Sequence, residues 1–180
     1  LVSFAAFAQT AESYRLKAAT HFDNGRFKEA ASTLTLALKL NPKDAKALRN
    51  RAVCYEKMEK FDLSVKDYLE LAKIDPSGET LGAIGFDYLV LEKYDEAKKY
   101  LNQAIALSTK NSNLRYNLGL CYQYEENYAL AITAYDEALK IEPFQPLKAD
   151  GRLKYCLSAP LNTSSAVFGP LGTVCFHVHP

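Results

Sequence analysis

Four cysteines, three histidines and several acidic pairs are the residues of this chain whose types could do chemistry. Cys175, His177 and His179 alternate, so an extended strand would set all three on one side, as in a metal-binding ribbon. That set lacks a fourth ligand and outer groups to orient the histidines, so no metal is expected. Cys156 also lies in the C-terminal tail, and a Cys156–Cys175 bridge is the other reading there. Catalytic patterns are missing: no Gly-rich phosphate loop, no H-E-x-x-H, no C-x-x-C and no G-x-S-x-G. Glu56, Glu59 and Glu125-Glu126 fall near helix ends, where a solvated face accounts for them. No cofactor is implied, and catalysis is not expected. The chemistry left to this chain is recognition, through tyrosines and charged side chains spread along its length.

Those side chains are placed by a repeat. Aligning the chain on Ala30, Ser64, Ala97 and Ala131 gives spacings of 34, 33 and 34 residues. Three residues before each anchor stands an aromatic: Phe27, Phe61, Tyr94 and Tyr128. Seven after stands Ala37, Leu71, Ala104 or Ala138. Ten after stands Leu40, Ile74, Leu107 or Ile141, and twelve after Pro42, Pro76, Thr109 or Pro143. Nine before lies His21, Tyr55, Tyr88 or Tyr122; twelve before lies Ala18, Ala52, Gly85 or Gly119. A fixed period of this length marks a stacked repeat, in which each unit buries its apolar face only against its neighbours.

The spacing inside a unit is helical. Tyr14, Ala18 and His21 share one helix face, and so do Phe27, Ala30, Ala31 and Leu34, continued by Ala37 and Leu38. Small residues let two backbones approach, so Ala18, Gly85 and Gly119 are expected to face Ala30, Ala97 and Ala131. The prolines after Asn41, Asp75 and Glu142 cannot continue a helix and should end the second helix of their units. Cys54 and Cys121 share the tenth position, where a small apolar residue is wanted and a buried thiol serves as one. They stand two units apart, beyond the roughly 7 Å Cα limit of a disulfide.

These residues resemble the tetratricopeptide repeat (TPR), a 34-residue helix–turn–helix unit, over about residues 11–145. Tyr116-Asn117-Leu118-Gly119-Leu120-Cys121-Tyr122 and Ala131 through Pro143 are the most diagnostic stretches. Departures are the fourth position (Tyr14, Leu48, Leu81, Arg115, never Trp), Lys17-Ala18 for Leu-Gly, and Ser64 for Ala. The resemblance implies an all-α, right-handed α-solenoid of four units, 11–44, 45–77, 78–111 and 112–145. Residues 146–157, with Ala149, Leu153, Cys156 and Leu157 on one face, are expected to form a C-terminal capping helix or the start of a fifth unit. Gly151 weakens that helix by up to about 1 kcal/mol.

The two ends read differently. Leu1 to Ala8 is apolar and uncharged, Ala6-Phe7-Ala8 fits an A-x-A cleavage site before Gln9, and residues 1–10 are expected to be a signal-peptide remnant. This implies a periplasmic or secreted protein; the other reading is a cytoplasmic one whose apolar start covers the first unit. Residues 158–180 hold no Lys, Arg, Asp or Glu and show no helical period, so an irregular tail is expected. Asn162-Thr163-Ser164 fits a glycosylation sequon.

Function is read from the face opposite the packing face. At about 100° per residue, positions two, five, nine, twelve and thirteen of each first helix cluster together. By resemblance that side lines the concave groove of TPR arrays. It holds Arg15 and Phe22, then Lys46 and Arg49, then Phe86 and Leu89, then Tyr116, Leu120 and Tyr124, with Asn50 and Asn117 flanking. The groove reads as charged at one end and apolar-aromatic at the other, and an apolar stripe where solvent is expected points to a partner. Packing of Phe86, Leu89 and Leu120 between adjacent first helices explains the stripe equally well. A formal charge of +1, with both signs interspersed, gives no electrostatic footprint for nucleic acid or anionic membrane. No apolar run approaches the roughly 18 residues of a membrane span.

The expected function is therefore a non-catalytic scaffold binding a protein or peptide in the groove, resembling extracytoplasmic bacterial TPR proteins. A cytosolic co-chaperone or assembly adaptor is the first alternative, and an accessory domain of a larger, even enzymatic, protein the second. The chaperone-tail clamp of some TPR proteins wants basic residues and asparagines at set positions. Arg15 and Asn50 could serve; Ala19, Glu79 and Ala83 do not.

Overall fold

A computed structural model describes residues 10–142 and two short strands, 166–168 and 174–176. Eight helices run in sequence: α1 (Ala11–Asp23), α2 (Phe27–Leu40), α3 (Ala45–Lys57), α4 (Phe61–Ala72), α5 (Gly78–Val90), α6 (Tyr94–Leu107), α7 (Ser112–Tyr124) and α8 (Tyr128–Ile141). Each packs on the next, and α5 also meets α7, so contacts stay between neighbours as a solenoid requires.

Local sequence explains where the helices start. Thr10 and Ser13 form a capping box at α1, with Ser13 N–H donating to Thr10 Oγ1 at 3.1 Å. Asp44, Ser77 and Asn111 cap α3, α5 and α7 in the same way. Such side chains accept from the unpaired amides of the first turn and hold its register. The turn inside each unit repeats its backbone. Gly25, Glu59, Glu92 and Glu126 all take positive φ, at 71°, 57°, 59° and 60°. The next amide then reaches back to a carbonyl in the last turn, as Lys60 N–H does to Tyr55 O at 2.8 Å. Only the first unit uses glycine where an L-residue is strained.

The anchor positions are interior. Ala30, Ser64 and Ala97 are fully buried and Ala131 nearly so, as are Ala37, Leu71 and Ala104 one face-turn later. The close approach at the glycines differs from the expectation. A Cβ on Gly85 would lie 2.7 Å from Leu101 Cγ, and one on Gly119 2.6 Å from Tyr135 Cδ1. The large residues Leu101 and Tyr135, rather than Ala97 and Ala131, thus fill the space a missing Cβ leaves. Pro42 follows α2 closely, whereas α4 ends at Ala72, before Pro76.

Ala166–Phe168 and Val174–Phe176 pair antiparallel, with Val167 opposite Cys175. The rest of the expected irregular tail, 158–165, 169–173 and 177–180, lies outside the described residues. The expected signal remnant before Thr10, the 146–157 helix, the sequon, and Cys156, His177 and His179 lie outside the described residues.

Candidate groove and its electrostatics

α1, α3, α5 and α7 carry the groove positions, and the structure treats its two ends differently. At the first, charges are already answered from within the chain. Arg15 Nε lies 2.9 Å from Asp44 Oδ2, although the N–H is poorly aligned for a hydrogen bond. Arg49 holds Asp75 at 3.0 Å and Glu79 at 2.7 Å. Lys46 is exposed and makes no ion pair among the described residues. Phe22 is half-buried, edge-on to Phe27 with centroids 5.2 Å apart. Phe22, Ala19, Asn50 and Val53 line a hollow of about 270 Å³ between α1 and α3. Asn50 is thereby brought to the same hollow as Phe22. A wider hollow of about 530 Å³ at the α6–α7 turn is lined by Lys110, Asn111 and Glu142 and contains no aromatic.

At the second end the apolar side chains divide. Phe86 is 39% exposed and stands edge-on to Phe61 at 6.4 Å; Tyr124 is 53% exposed and stacks on Tyr94 at 5.7 Å. Val90 adds exposed surface one turn after Phe86. Tyr116 is half-buried against Tyr135 at 5.3 Å, and Leu120 is half-buried against the core. Asn117 is half-buried beside them in α7. Leu89 is 6% exposed: it is a core residue, and a groove ligand cannot reach it. Its position at the twelfth place of a helix that is apolar on nearly every face put it on the wrong side by angle alone.

Two polar features escaped the spacing argument. Arg51 on α3 donates from Nε and Nη2 to the two oxygens of Asp67 on α4, both at 2.7 Å, and from Nη1 to Thr35 at 3.0 Å. Asp67 raises the Arg51 pKa further. Asp87 on α5 is fully buried at the tenth position, where Cys54 and Cys121 stand in their units. A carboxylate in a place that two other units fill with buried thiols was the signal available in the sequence. Cys54 and Cys121 themselves are free and buried, and burial pushes their thiols up to about 11 and about 12. They are neutral packing groups, not nucleophiles. His21 is half-buried, with Nδ1 enclosed and without a partner among the described residues.

Tetratricopeptide-repeat models match residues 15–79, 80–111 and 112–145. The chain belongs to the tetratricopeptide repeat family. Hsp70-Hsp90 organizing protein 1 of Glycine max is 32% identical over 117 residues, covering 63% of this chain and 20% of the relative. The chain thus spans about a fifth of the length of such curated relatives. Among solved structures, MamA protein superposes with a TM-score of 0.72 at 23% identity, over 74% of this chain and 73% of that one. The first TPR of Spaghetti (RPAP3), bound to the HSP90 peptide SRMEEVD, gives a TM-score of 0.61 at 24% identity, over 66% and 94%. At these identities the two structures speak for the fold alone. No described helix is long and apolar enough to cross a membrane.

Proposed function

We propose that this chain is a non-catalytic interaction module. Its concave groove takes an extended or helical peptide whose apolar side chains rest on Phe86, Tyr116, Leu120 and Tyr124. One observation carries the reading. The aromatic end keeps exposed rings, whereas Arg15 and Arg49 at the charged end are already paired with Asp44, Asp75 and Glu79. A partner gains little from a charge that is neutralised before it arrives. Burying an exposed ring removes apolar area from water, and aromatic anchors dominate such contacts at about 2 kcal/mol or more each on truncation.

Peptides selected from a displayed random library on the full chain test this. Phe86→Ala and Tyr124→Ala should weaken the selected peptides at least tenfold, Arg49→Ala less than threefold, and raising salt from 0.1 to 0.5 M should change affinity little. Normal binding by the aromatic variants, or binding abolished by salt, would sink the apolar groove.

The second reading, a co-chaperone adaptor, is favoured by the similarity to Hsp70-Hsp90 organizing protein 1. Against it stand Ala19, Glu79 and Ala83 at clamp positions, where Glu79 puts an acid, paired with Arg49, in place of a base. Titration with SRMEEVD separates the two: salt-sensitive micromolar binding supports the adaptor, and no binding supports the apolar groove. We further propose an extracytoplasmic location, with cleavage before Gln9. Mass spectrometry of protein expressed from the complete coding sequence decides this, since a cytosolic product retaining Leu1–Ala8 contradicts it. Further domains in that coding sequence would make this array an accessory part of a larger protein.

A further inference from the structure

The tenth place of the three later units is sealed: Cys54, Asp87 and Cys121 are each 0% exposed. A thiol suits such a place and a carboxylate does not, unless donors meet it. Among the described residues, none gives either oxygen of Asp87 a hydrogen bond of good geometry. Its neighbours on each packed helix explain why. From α4, Ser64 lies alongside, but its hydroxyl is likewise buried without a well-formed bond. From α3, Glu56 faces it, and an ionised carboxylate only accepts. Tyr68 on α4 donates to Glu56. Arg49, which also acts on Tyr68, is engaged by Asp75 and Glu79. On α6, Lys98 is held by Asp95 and Glu125 and Tyr100 stacks on Tyr88; on α7, Arg115 pairs with Glu137. None of these cations is directed at Asp87. An acceptor sealed from water, facing a second and half-buried one, is reconciled by a proton on one of the two.

We propose that Glu56 and Asp87 form a proton-dependent latch between the second and third units, closed while one carboxyl holds a proton and loosened when both are ionised. The latch rests on the groove reading only for its consequence: Asp87 follows Phe86 in the chain, so loosening α5 against α4 shifts the wall that carries that ring.

Burial foremost, with Glu56 adding to it against a smaller opposing effect of Ser64, pushes the Asp87 carboxyl from 3.8 up to about 7. Below its unfolded pKa, folded and unfolded chains both hold the proton, and the group places no penalty on folding. Between about 4 and about 7 the folded chain keeps a proton the unfolded chain has released, so stability falls as pH rises. Above about 7 the penalty is complete and level.

Thermal melting of the full chain by circular dichroism from pH 4.5 to 8.5 tests the latch, comparing wild type with Asp87→Asn, Asp87→Cys and Glu56→Gln. The wild-type melting temperature should fall relative to both Asp87 variants up to about pH 7 and then run parallel. Asp87→Cys should melt above wild type at pH 8, since a sealed thiol stays neutral there. Glu56→Gln should move the fall to lower pH. Parallel profiles for wild type and Asp87→Cys across the range overturn the latch. A carboxyl-carbon NMR titration of Asp87 reads the wild type directly. A midpoint near 7 supports the proposal, and one in the ordinary carboxylate range overturns it. Neither measurement involves a peptide, so a failed groove leaves the latch standing and a failed latch leaves the groove.

Discussion

Asp67 and Asp87 sit on neighbouring helices, α4 and α5, and both are buried, at 5% and 0% exposure. One is gripped by a guanidinium on both oxygens; the other has no aligned donor among the described residues. Burial exacts the same desolvation from each. The partner decides the outcome. Asp67 is a fastener: with Arg51, which also reaches Thr35 and lies 5.9 Å over the Tyr55 ring, it ties α2, α3 and α4 together. Asp87 is a liability at neutral pH and a neutral filler in acid. Two identical side chains, one helix apart, therefore have opposite effects on the array they share.

The contrast breaks most visibly at Asp67. Asp67→Ala leaves the Arg51 guanidinium buried without its carboxylate and should cost about 2–4 kcal/mol, toward the low side of a broken buried pair. The reason is that the Arg51 side chain keeps 19% exposure. Urea denaturation at pH 7.5 measures it. Asp87→Cys should move the midpoint the other way under the same conditions. If both variants destabilise alike, the two aspartates are not different in kind.

Volume supplies the next test. The seam holding Gly119 is apolar and full, with Tyr135 against the glycine and its hydroxyl donating to Gln123 at 2.6 Å. Gly119→Leu should cost about 1–3 kcal/mol or more, because the ring cannot retreat without losing that bond. An unchanged melting temperature would show that the ring moves freely. The polar seam should accept an apolar swap at Asp87, and the apolar seam should accept no added volume at Gly119.

Smaller effects belong to the turns. Glu59, Glu92 and Glu126 occupy the left-handed region that Gly25 fills at the same place in the first unit. Glu92→Gly should raise stability by up to about 1 kcal/mol, and Gly25→Ala should lower it by a similar amount. A differential melt of the two variants settles it. Loss of stability in Glu92→Gly would mean that unfolded-chain entropy outweighs the relieved strain.

The fold was legible because its determinants are periodic. Anchors at Ala30, Ser64, Ala97 and Ala131 fix which helix faces are buried, and period survives substitution. Groove residues are set by angle, which located Phe86 and Tyr124 on the surface but failed for Leu89, where an almost wholly apolar helix gives no polar face to orient it. Pairing was harder still. The partners of Arg15 and Arg49 come from the linkers and the next unit, twenty-six or more residues away, and no local pattern announces Asp44, Asp75 or Glu79. The turn glutamates were hidden because strain at φ near 60° is tolerated by the fold around it. Asp87 was visible by alignment with Cys54 and Cys121, but only burial shows what its charge must do.

The smallest effect is expected at Arg49, and it completes the series of carboxylate environments. Its two ion pairs reach Asp75 and Glu79, whose side chains are 45% and 79% exposed. Water solvates both acids well before they meet the guanidinium, so pairing replaces strong hydration with a similar interaction and orders three side chains. Exposed pairs of this kind contribute about 0–1 kcal/mol. Arg49→Ala should therefore lower stability by no more than that in 0.1 M salt. The difference should shrink further at 1 M, where the screening length falls from about 10 Å to about 3 Å. Asp67→Ala should keep most of its cost at 1 M, since its pair is closed to ions. A loss at Arg49 above about 2 kcal/mol that survives high salt would place the charged end of the groove with Asp67, as a fastener of the second unit to the third. The arginine would then be structural, and its indifference to peptide binding could not be read as a statement about the ligand.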